Sequence, residues 1–121
     1  MTHTILAVDD SASMRQMVGH VLRTAGFLVF EAGDGAEALE IAARERIDAV
    51  VTDHNMPEMD GISLVRRLRA LEVHAATPIL LLTTESSAEV KQLGREAGAT
   101  GWIVKPFDPM RLVEVCRKVL R

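Results

Sequence analysis

Five side chains suited to phosphate and metal chemistry lie at or just after the ends of short apolar runs: Asp9, Asp10, Asp53, Thr83 and Lys105. Three carboxylates held close together repel one another and resist ionisation unless a cation joins them. Mg²⁺ prefers oxygen ligands, usually one or two carboxylates with water and phosphate oxygens. A lysine ammonium suits a phosphate as a point charge, and a threonine hydroxyl can donate a hydrogen bond to a phosphoryl oxygen. If these side chains meet, they predict a magnesium site at which an aspartate takes up a phosphoryl group.

The apolar runs that would position these side chains are short, and several are apolar on consecutive residues. This pattern is typical of strands covered on both faces of a parallel sheet. The runs are TILAV (4–8), FLVFEA (27–32), DAVVTD (48–53), PILLLT (78–83) and GWIVK (101–105). In open parallel sheets, ligands bind outside the carboxyl ends of the strands. The sequence therefore predicts that the polar side chains meet at that edge.

Amphipathic stretches between the runs predict five helices, at about residues 14–25, 36–46, 61–71, 88–97 and 112–120. Gly26 follows the first as a C-terminal cap. The inward-facing residues include Leu39, Ala42 and Ala43 in the second helix, and Val90, Leu93 and Ala97 in the fourth. Strands alternating with helices predict a doubly wound α/β fold, in which a five-stranded parallel sheet carries helices on both faces.

Composition and charge exclude several classes of protein. The chain has 121 residues, 48% hydrophobic and 26% charged, which predicts one globular domain over residues 1–121. A net charge of −3 without a basic run gives no reason to expect nucleic acid or a membrane surface as a partner. The single cysteine, Cys116, cannot form an internal disulfide and is expected in the core. Without a signal peptide or a long apolar segment, we expect a cytoplasmic protein.

Several of these motifs together resemble a known family. They are VDD (8–10), DHNMPEMDG (53–61), the strand end at Thr83, GATGW (98–102) and KPF (105–107). In this order and spacing they resemble the receiver domains of bacterial two-component response regulators, and among these the CheY-like chemotaxis regulators. The resemblance covers essentially the whole chain. It implies a flavodoxin-like sheet with strand order 2-1-3-4-5.

The resemblance also implies a role for each residue of the predicted site. Asp53 is the phosphoacceptor. Mg²⁺ is bound by Asp10, by Asp53, by the backbone carbonyl of Asn55 and, through a water molecule, by Asp9. Lys105 contacts the acceptor and then the phosphoryl group.

Further residues are implied as a switch. Thr83 moves toward the phosphoryl oxygens, and Trp102, in place of the usual Tyr or Phe, turns inward as Thr83 moves. The peptide bond before Pro106 is expected to be cis. Thr84, at a position where Ala or Ser is frequent, narrows access to the site. Asn55 and Glu85 match the fast-cycling chemotaxis type, which implies an acyl phosphate lasting seconds to minutes.

The function implied is that of a stand-alone response regulator, not an enzyme with an external substrate. It takes a phosphoryl group from a CheA-like sensor histidine kinase, or from small donors with Mg²⁺, and loses it by self-dephosphorylation. It then binds a flagellar motor switch protein or another target through its fourth helix, fifth strand and fifth helix. A phosphatase is a possible further partner, and a monomer is expected.

Three alternatives remain at this point. The chain can be a phosphate sink or relay receiver in the same pathway. An aspartyl-phosphate hydrolase of the haloacid dehalogenase type is disfavoured, because that class needs Asp-x-Asp after its first strand and here Asn55 stands in the second position. A flavodoxin-like nucleotide binder is disfavoured because DDSASM (9–14) offers acids where a phosphate-binding loop is needed.

Some of the polar residues have simpler explanations. Asp9, Asp10, Ser11 or Ser13 can cap the first helix, and Asp60, before Gly61, is predicted to cap the third. The four histidines show no metal-ligand spacing. His54 adjoins Asp53, so a position near an entering phosphodonor stays open for it.

Overall fold

The computed structural model describes residues 2–84 and 87–120. Over these residues the chain forms five strands, β1 (Thr4–Val8), β2 (Leu28–Ala32), β3 (Ala49–Asp53), β4 (Ile79–Thr83) and β5 (Gly101–Val104). All neighbouring strands pair in parallel, in the order β2-β1-β3-β4-β5. The predicted sheet and its strand order are confirmed.

Five α-helices alternate with the strands in the described part of the chain. They are α1 (Ala12–Thr24), α2 (Gly35–Arg44), α3 (Gly61–Ala70), α4 (Ala88–Ala97) and α5 (Pro109–Val119), with a short 3₁₀ helix at Glu72–His74. No helix among the described residues is long and apolar enough to span a membrane.

The core consists of two layers, one on each face of the sheet, because successive side chains of a strand point to opposite faces. In β1, Leu6 and Val8 face the layer formed with α2, α3 and α4. Ile5 and Ala7 face the layer formed with α1 and α5. Cys116 lies in this second layer with no exposed surface, and burial raises the pKa of its thiol to about 12. Its prediction as a core residue is confirmed.

Two predicted helix faces are wrong in part. In α2, Ala42 is buried as predicted, whereas Ala43 is exposed. Ala38 and Ile41, which the prediction left out, are buried as well. The helix begins at Gly35, capped by Asp34, and its apolar residues recur at i, i+3 and i+4 from Ala38.

In α4, Leu93 is 40% exposed, and the buried residues are Gly94 and Ala97. Large side chains are absent from this inner face because Trp102 of β5 lies against it.

Backbone hydrogen bonds continue past the strand ends and fix the residues that follow. The N–H groups of Asp9 and His54 donate to the carbonyls of Ala32 and Leu82, at 3.1 and 2.9 Å. The N–H of Lys105 donates to the carbonyl of Thr83 at 2.8 Å. Asp9, Asp53, Thr83 and Lys105 are therefore held at one edge of the sheet by backbone geometry.

Candidate functional site

Three carboxylates lie together at the carboxyl edge of β1 and β3. Asp9, Asp10 and Asp53 each place one oxygen within 4.8 Å of the others. Asp9 and Asp53 are each 4% exposed, whereas Asp10 is exposed to solvent. The cluster is thus open on one side and closed on the other, as a site for a cation and an incoming ligand requires.

Lys105 reaches the same cluster from the end of β5. Its Nζ lies 2.5 Å from Oδ1 of Asp53 and 3.8 Å from Oδ2 of Asp9. The Lys105–Pro106 peptide bond is cis, as the resemblance implies. One ammonium therefore faces two buried carboxylates, and of these two it donates a hydrogen bond to Asp53.

The two oxygens of Asp9 have different surroundings. Oδ1 accepts a hydrogen bond from the Ser11 N–H at 2.9 Å, whereas Oδ2 is buried without a hydrogen-bond partner among the described residues. Burial raises the pKa of Asp9; the Ser11 hydrogen bond lowers it, and the charge of Asp53 raises it further. A buried carboxylate oxygen that accepts no hydrogen bond, beside two other acids, fits a hard divalent cation, which would neutralise the cluster.

Arg15 supports the cluster from behind, and the sequence reasoning missed it. Its Nη1 donates to the backbone carbonyl of Asp9 at 2.7 Å, and its Nε lies 3.6 Å from Oε1 of Glu31 on β2. An arginine in the first turns of a helix with both polar and apolar residues does not by itself indicate a contact with Asp9. Ser11, one of the candidates considered, is the N-cap of α1.

The loop from β3 to α3 lies tightly against the strand end. Asp60 caps α3, with Oδ1 accepting from the Ser63 N–H at 2.8 Å, so that prediction is confirmed. A Cβ on Gly61 would lie 2.6 Å from the Asp53 carbonyl oxygen and 2.8 Å from Cα of His54, closer than real Cβ contacts. Glycine at this position therefore allows α3 to begin directly under the site.

Asp60 keeps its charge through the same cap. Burial alone would raise the pKa of Asp60, but the backbone and side-chain hydrogen bonds from Ser63, with the charges of His54 and Arg66, lower it overall. His54 thus interacts electrostatically with the cap, and its Nδ1 is buried with no hydrogen-bond partner in the described ranges. A position of His54 over an entering phosphodonor stays a prediction.

Glu58 is strained within this loop. It has φ 66°, the left-handed region that side chains with a Cβ disfavour. We expect Glu58→Asn to raise the free energy of unfolding by about 0.5–1 kcal/mol, because asparagine tolerates this region better. Urea denaturation measures the change. Glu45→Asn, at a residue with φ −109°, is the matched control and should give no gain; an equal gain in both variants would refute the strain.

The mouth of the site is bordered by a side-chain contact between two loops. Nδ2 of Asn55 donates to Oγ1 of Thr84 at 3.3 Å, and both residues are exposed. Thr83, next to Thr84, is buried at the end of β4. The predicted role of Asn55 as a carbonyl ligand stays a prediction, and Glu85 lies outside the described residues.

Trp102 lies on β5, paired in register with Leu81 of β4. It is half-buried, and its indole packs against the apolar layer that contains α4. Two grooves that Trp102 lines also contain basic side chains, Lys91 and Arg111 in one and Arg111 and Lys118 in the other. The Trp102 indole, which is larger than the Tyr or Phe ring usual at this position, therefore lies at the surface of α4 and β5, beside basic side chains.

The combination of the parallel sheet, the three acids and the lysine matches one known family. Residues 5–117 fit the response regulator receiver domain. The chain belongs to this family. Receiver domains are phosphoacceptor signalling domains, which act with a histidine kinase and a downstream target.

Individual relatives of this receiver domain differ in length and role. Transcriptional regulatory protein PrrA of Mycobacterium tuberculosis is 42% identical over 117 residues, which make up 97% of this chain and 49% of PrrA. The chain thus spans about half the length of that relative. Chemotaxis protein CheY-3 of Vibrio cholerae is 42% identical over 116 residues, or 95% of this chain and 89% of CheY-3.

A solved structure agrees with the fold in detail. Chemotaxis protein CheY4 of Vibrio cholerae is 49% identical and superposes with a TM-score of 0.96, covering 99% of this chain and 100% of that one. The receiver is therefore CheY-like in fold.

Proposed function

We propose that this receiver accepts a phosphoryl group on Asp53 and changes its affinity for a partner protein in response. The observation that carries the proposal is the pairing of a buried Asp53 carboxylate with the Lys105 ammonium, beside Asp9 and Asp10. A nucleophile and the groups that neutralise its charge are thus already in position. Phosphoryl transfer depends mainly on such positioning and neutralisation.

The proposed reaction transfers a phosphoryl group from a phosphohistidine of the kinase to Asp53. A carboxylate oxygen of Asp53 forms a bond to the phosphorus of a phosphohistidine, and the phosphorus–nitrogen bond breaks with its electron pair returning to the imidazole, which takes a proton from water. Lys105, which holds Asp53 before transfer, then pairs with a phosphoryl oxygen. Water later attacks the phosphorus, restoring the Asp53 carboxylate and releasing phosphate.

Mg²⁺ would be held by Asp10, Asp53 and the backbone carbonyl of Asn55, with Asp9 reached through a water molecule. When bound, it supplies charge neutralisation for the transferring phosphoryl group. The buried Oδ2 of Asp9, which accepts no hydrogen bond among the described residues, and the raised pKa of its carboxyl support a cation at this site.

Asp9→Asn should therefore have opposite effects on stability and metal binding. The folded protein holds the Asp9 proton more tightly than the unfolded chain, so the stability contributed by Asp9 is greatest below its ordinary pKa and falls as pH rises through the raised folded-state pKa. At neutral pH in EDTA, Asp9→Asn should be more stable than wild type in urea denaturation. Its Mg²⁺ affinity should fall about 10–100-fold.

Calorimetric titration with Mg²⁺ gives the second quantity. Asp34→Asn, which changes the exposed cap of α2 in the same chemical way, is the control and should leave both quantities unchanged. Lower stability of Asp9→Asn in EDTA, or unchanged Mg²⁺ affinity, would contradict the account.

The proposed output is a rearrangement of Thr83 and Trp102 that alters the surface of α4, β5 and α5. Phosphorylation adds negative charge and acceptor oxygens, which favour one of two arrangements of the loop after β4. Lys91 and Arg111 border Trp102 on this surface. Asp108 lines the same groove, so the two basic side chains leave it with a net positive charge, which supports a partner that presents acidic residues there.

We propose that the receiver acts in chemotaxis, as a cytoplasmic monomer that takes its phosphoryl group from a CheA-like kinase. The similarity to CheY-3 and CheY4 over nearly their whole lengths supports this placement. The target is then a flagellar motor switch protein. The alternative of a phosphate sink or relay receiver uses the same site chemistry and lacks the phosphorylation-dependent target.

The experiment that tests the proposed function is incubation of the purified protein with acetyl phosphate. With Mg²⁺, the intact mass should increase by one phosphoryl group, and with EDTA it should not. The added mass should disappear within minutes after the donor is removed, by self-dephosphorylation. No mass gain with Mg²⁺ would overturn the proposal, and a phosphoryl group that persists for hours would overturn the fast-cycling assignment.

A binding experiment distinguishes the motor regulator from the sink. The phosphorylated and unphosphorylated proteins are incubated with an immobilised motor switch protein. A motor regulator is retained mainly when phosphorylated, whereas equal or absent retention of a phosphorylated protein indicates the sink or relay.

A further inference from the structure

Gly94 occupies a position where its own backbone gives no reason for glycine. It lies in the interior of α4, where glycine destabilises a helix relative to alanine. Of the described glycines, only Gly26 and Gly98 have positive φ. Since the conformation of Gly94 does not require glycine, the explanation must be sought in what packs against it.

The side chain that packs against Gly94 is Trp102. A Cβ built on Gly94 would lie 2.6 Å from Cζ3 and 2.8 Å from Cη2 of the indole, and 3.4 Å from Cδ1 of Leu81. The first two distances are shorter than real Cβ contacts allow, and both atoms belong to the far edge of the ring. The indole therefore occupies the volume that an alanine methyl would need.

The atoms in contact identify which aromatic side chain this position accommodates. Cζ3 and Cη2 lie on the benzene ring of the indole, which extends farther from the backbone than a phenylalanine ring does. A residue with a side chain at position 94 would thus force the Trp102 indole out of this position, whereas a smaller ring at 102 would not reach the added methyl group. Gly94 and Trp102 form a matched pair across α4 and β5.

The C-terminal end of α4 is held in place, so the helix cannot simply move away from a larger residue. The Arg69 guanidinium donates to the Gly98 carbonyl from Nε at 3.0 Å and from Nη2 at 2.8 Å. It also donates to the carbonyls of His74 and Thr77, at 2.8 and 2.6 Å. A methyl group at position 94 would therefore displace the indole more readily than the helix.

We infer that Gly94 is a positioning residue for the switch: it seats the Trp102 indole on α4, so that movement of the ring and rearrangement of α4 are coupled. The packing of the Trp102 indole against Gly94 does not depend on any function of the protein. Its regulatory consequence, that phosphorylation at Asp53 must move the indole relative to Gly94, rests on the proposed function.

A double-mutant cycle tests the seat without any phosphodonor. Gly94→Ala should lower the urea midpoint in the Trp102 protein, because the methyl group collides with the indole. In the Trp102→Phe protein the same change should raise the midpoint, because the intrinsic helix preference for alanine then acts alone. Gln92→Ala, at an exposed position of α4, should have the same effect in both backgrounds. If Gly94→Ala changed the urea midpoint with the same sign in both backgrounds, the proposed packing of Trp102 against Gly94 would be contradicted.

Fluorescence of Trp102, the sole tryptophan, gives a readout that a general loss of stability would not move. In folded Gly94→Ala, with unchanged far-ultraviolet circular dichroism, the emission should shift to the red and acrylamide quenching should increase. Unchanged emission and quenching would contradict displacement of the ring.

The coupling is tested by adding Mg²⁺ and acetyl phosphate while the intact mass is followed. With equal phosphoryl gain, the fluorescence change should be at least halved in Gly94→Ala relative to wild type; an equal change would overturn the coupling. If neither protein gains a phosphoryl group, the proposed function and the coupling fail together, and the seat is decided by the double-mutant cycle.

Discussion

Asp53→Asn is expected to abolish the phosphoryl gain completely. The amide has no carboxylate nucleophile, and its oxygen cannot form the acyl phosphate. The asparagine side chain would fill nearly the same volume at the end of β3, where Asp53 is 4% exposed, so the fold should persist. Lys105 would keep Asp9 as a neighbour, 3.8 Å away. Loss of phosphorylation in a folded protein would thus report the chemistry of one carboxylate.

The matched control for this variant lies at the other end of the loop that follows Asp53. Asp60→Asn makes the same chemical change seven residues later and retains the side-chain oxygen that caps α3. It should take up a phosphoryl group at nearly the wild-type rate. An equal loss in both variants would point to damage of the loop, and a full gain in Asp53→Asn would place the acceptor elsewhere.

Lys105→Met should separate metal binding from phosphoryl transfer. The ammonium lies 2.5 Å from Oδ1 of Asp53, where it can stabilise the negative charge that develops on the phosphoryl oxygens during transfer. Loss of one such positioned donor typically costs about 10²–10³-fold in rate. Mg²⁺ affinity should not fall, because the carboxylates remain and a competing cation is gone. Methionine retains most of the buried aliphatic stem.

The rate of mass gain with acetyl phosphate and a calorimetric Mg²⁺ titration measure the two effects. Lys118→Met, at an exposed position of α5, controls for the loss of a positive charge and should change neither. Loss of Mg²⁺ affinity in Lys105→Met would assign the lysine to the architecture of the cluster. A wild-type rate of transfer would remove it from the mechanism.

The strands could be predicted from the sequence because each is a short apolar run, and the central strands β3 and β4 are buried on both faces. Val50 and Val51, for example, are both buried although their side chains point to opposite layers. The α4 face was less predictable. Leu93 is the more apolar residue, yet Gly94 faces inward, because the indole of Trp102 from another strand occupies that side of the helix.

The sequence predicted which residues of the candidate site lie together. It did not predict the hydrogen bonds that each of them makes. Asp9 and Asp53 follow apolar strands, so the parallel sheet brings them together. The different surroundings of the two Asp9 oxygens depend on the N–H of Ser11 and on burial, which arise only after α1 is placed. Arg15 contacts Asp9 through a backbone carbonyl, which no side-chain pattern reveals. The positive φ of Glu58 likewise depends on the closure of its loop.

The most direct test of the central claim locates the phosphoryl group on the chain. Protein treated with Mg²⁺ and acetyl phosphate is reduced with borohydride, which converts an aspartyl phosphate to homoserine, and is then digested and sequenced by tandem mass spectrometry. The account predicts homoserine at position 53 alone, and none in samples treated with EDTA. Homoserine at Asp9, Asp10 or Asp60, or aspartate retained at position 53 in protein that had gained a phosphoryl group, would contradict it.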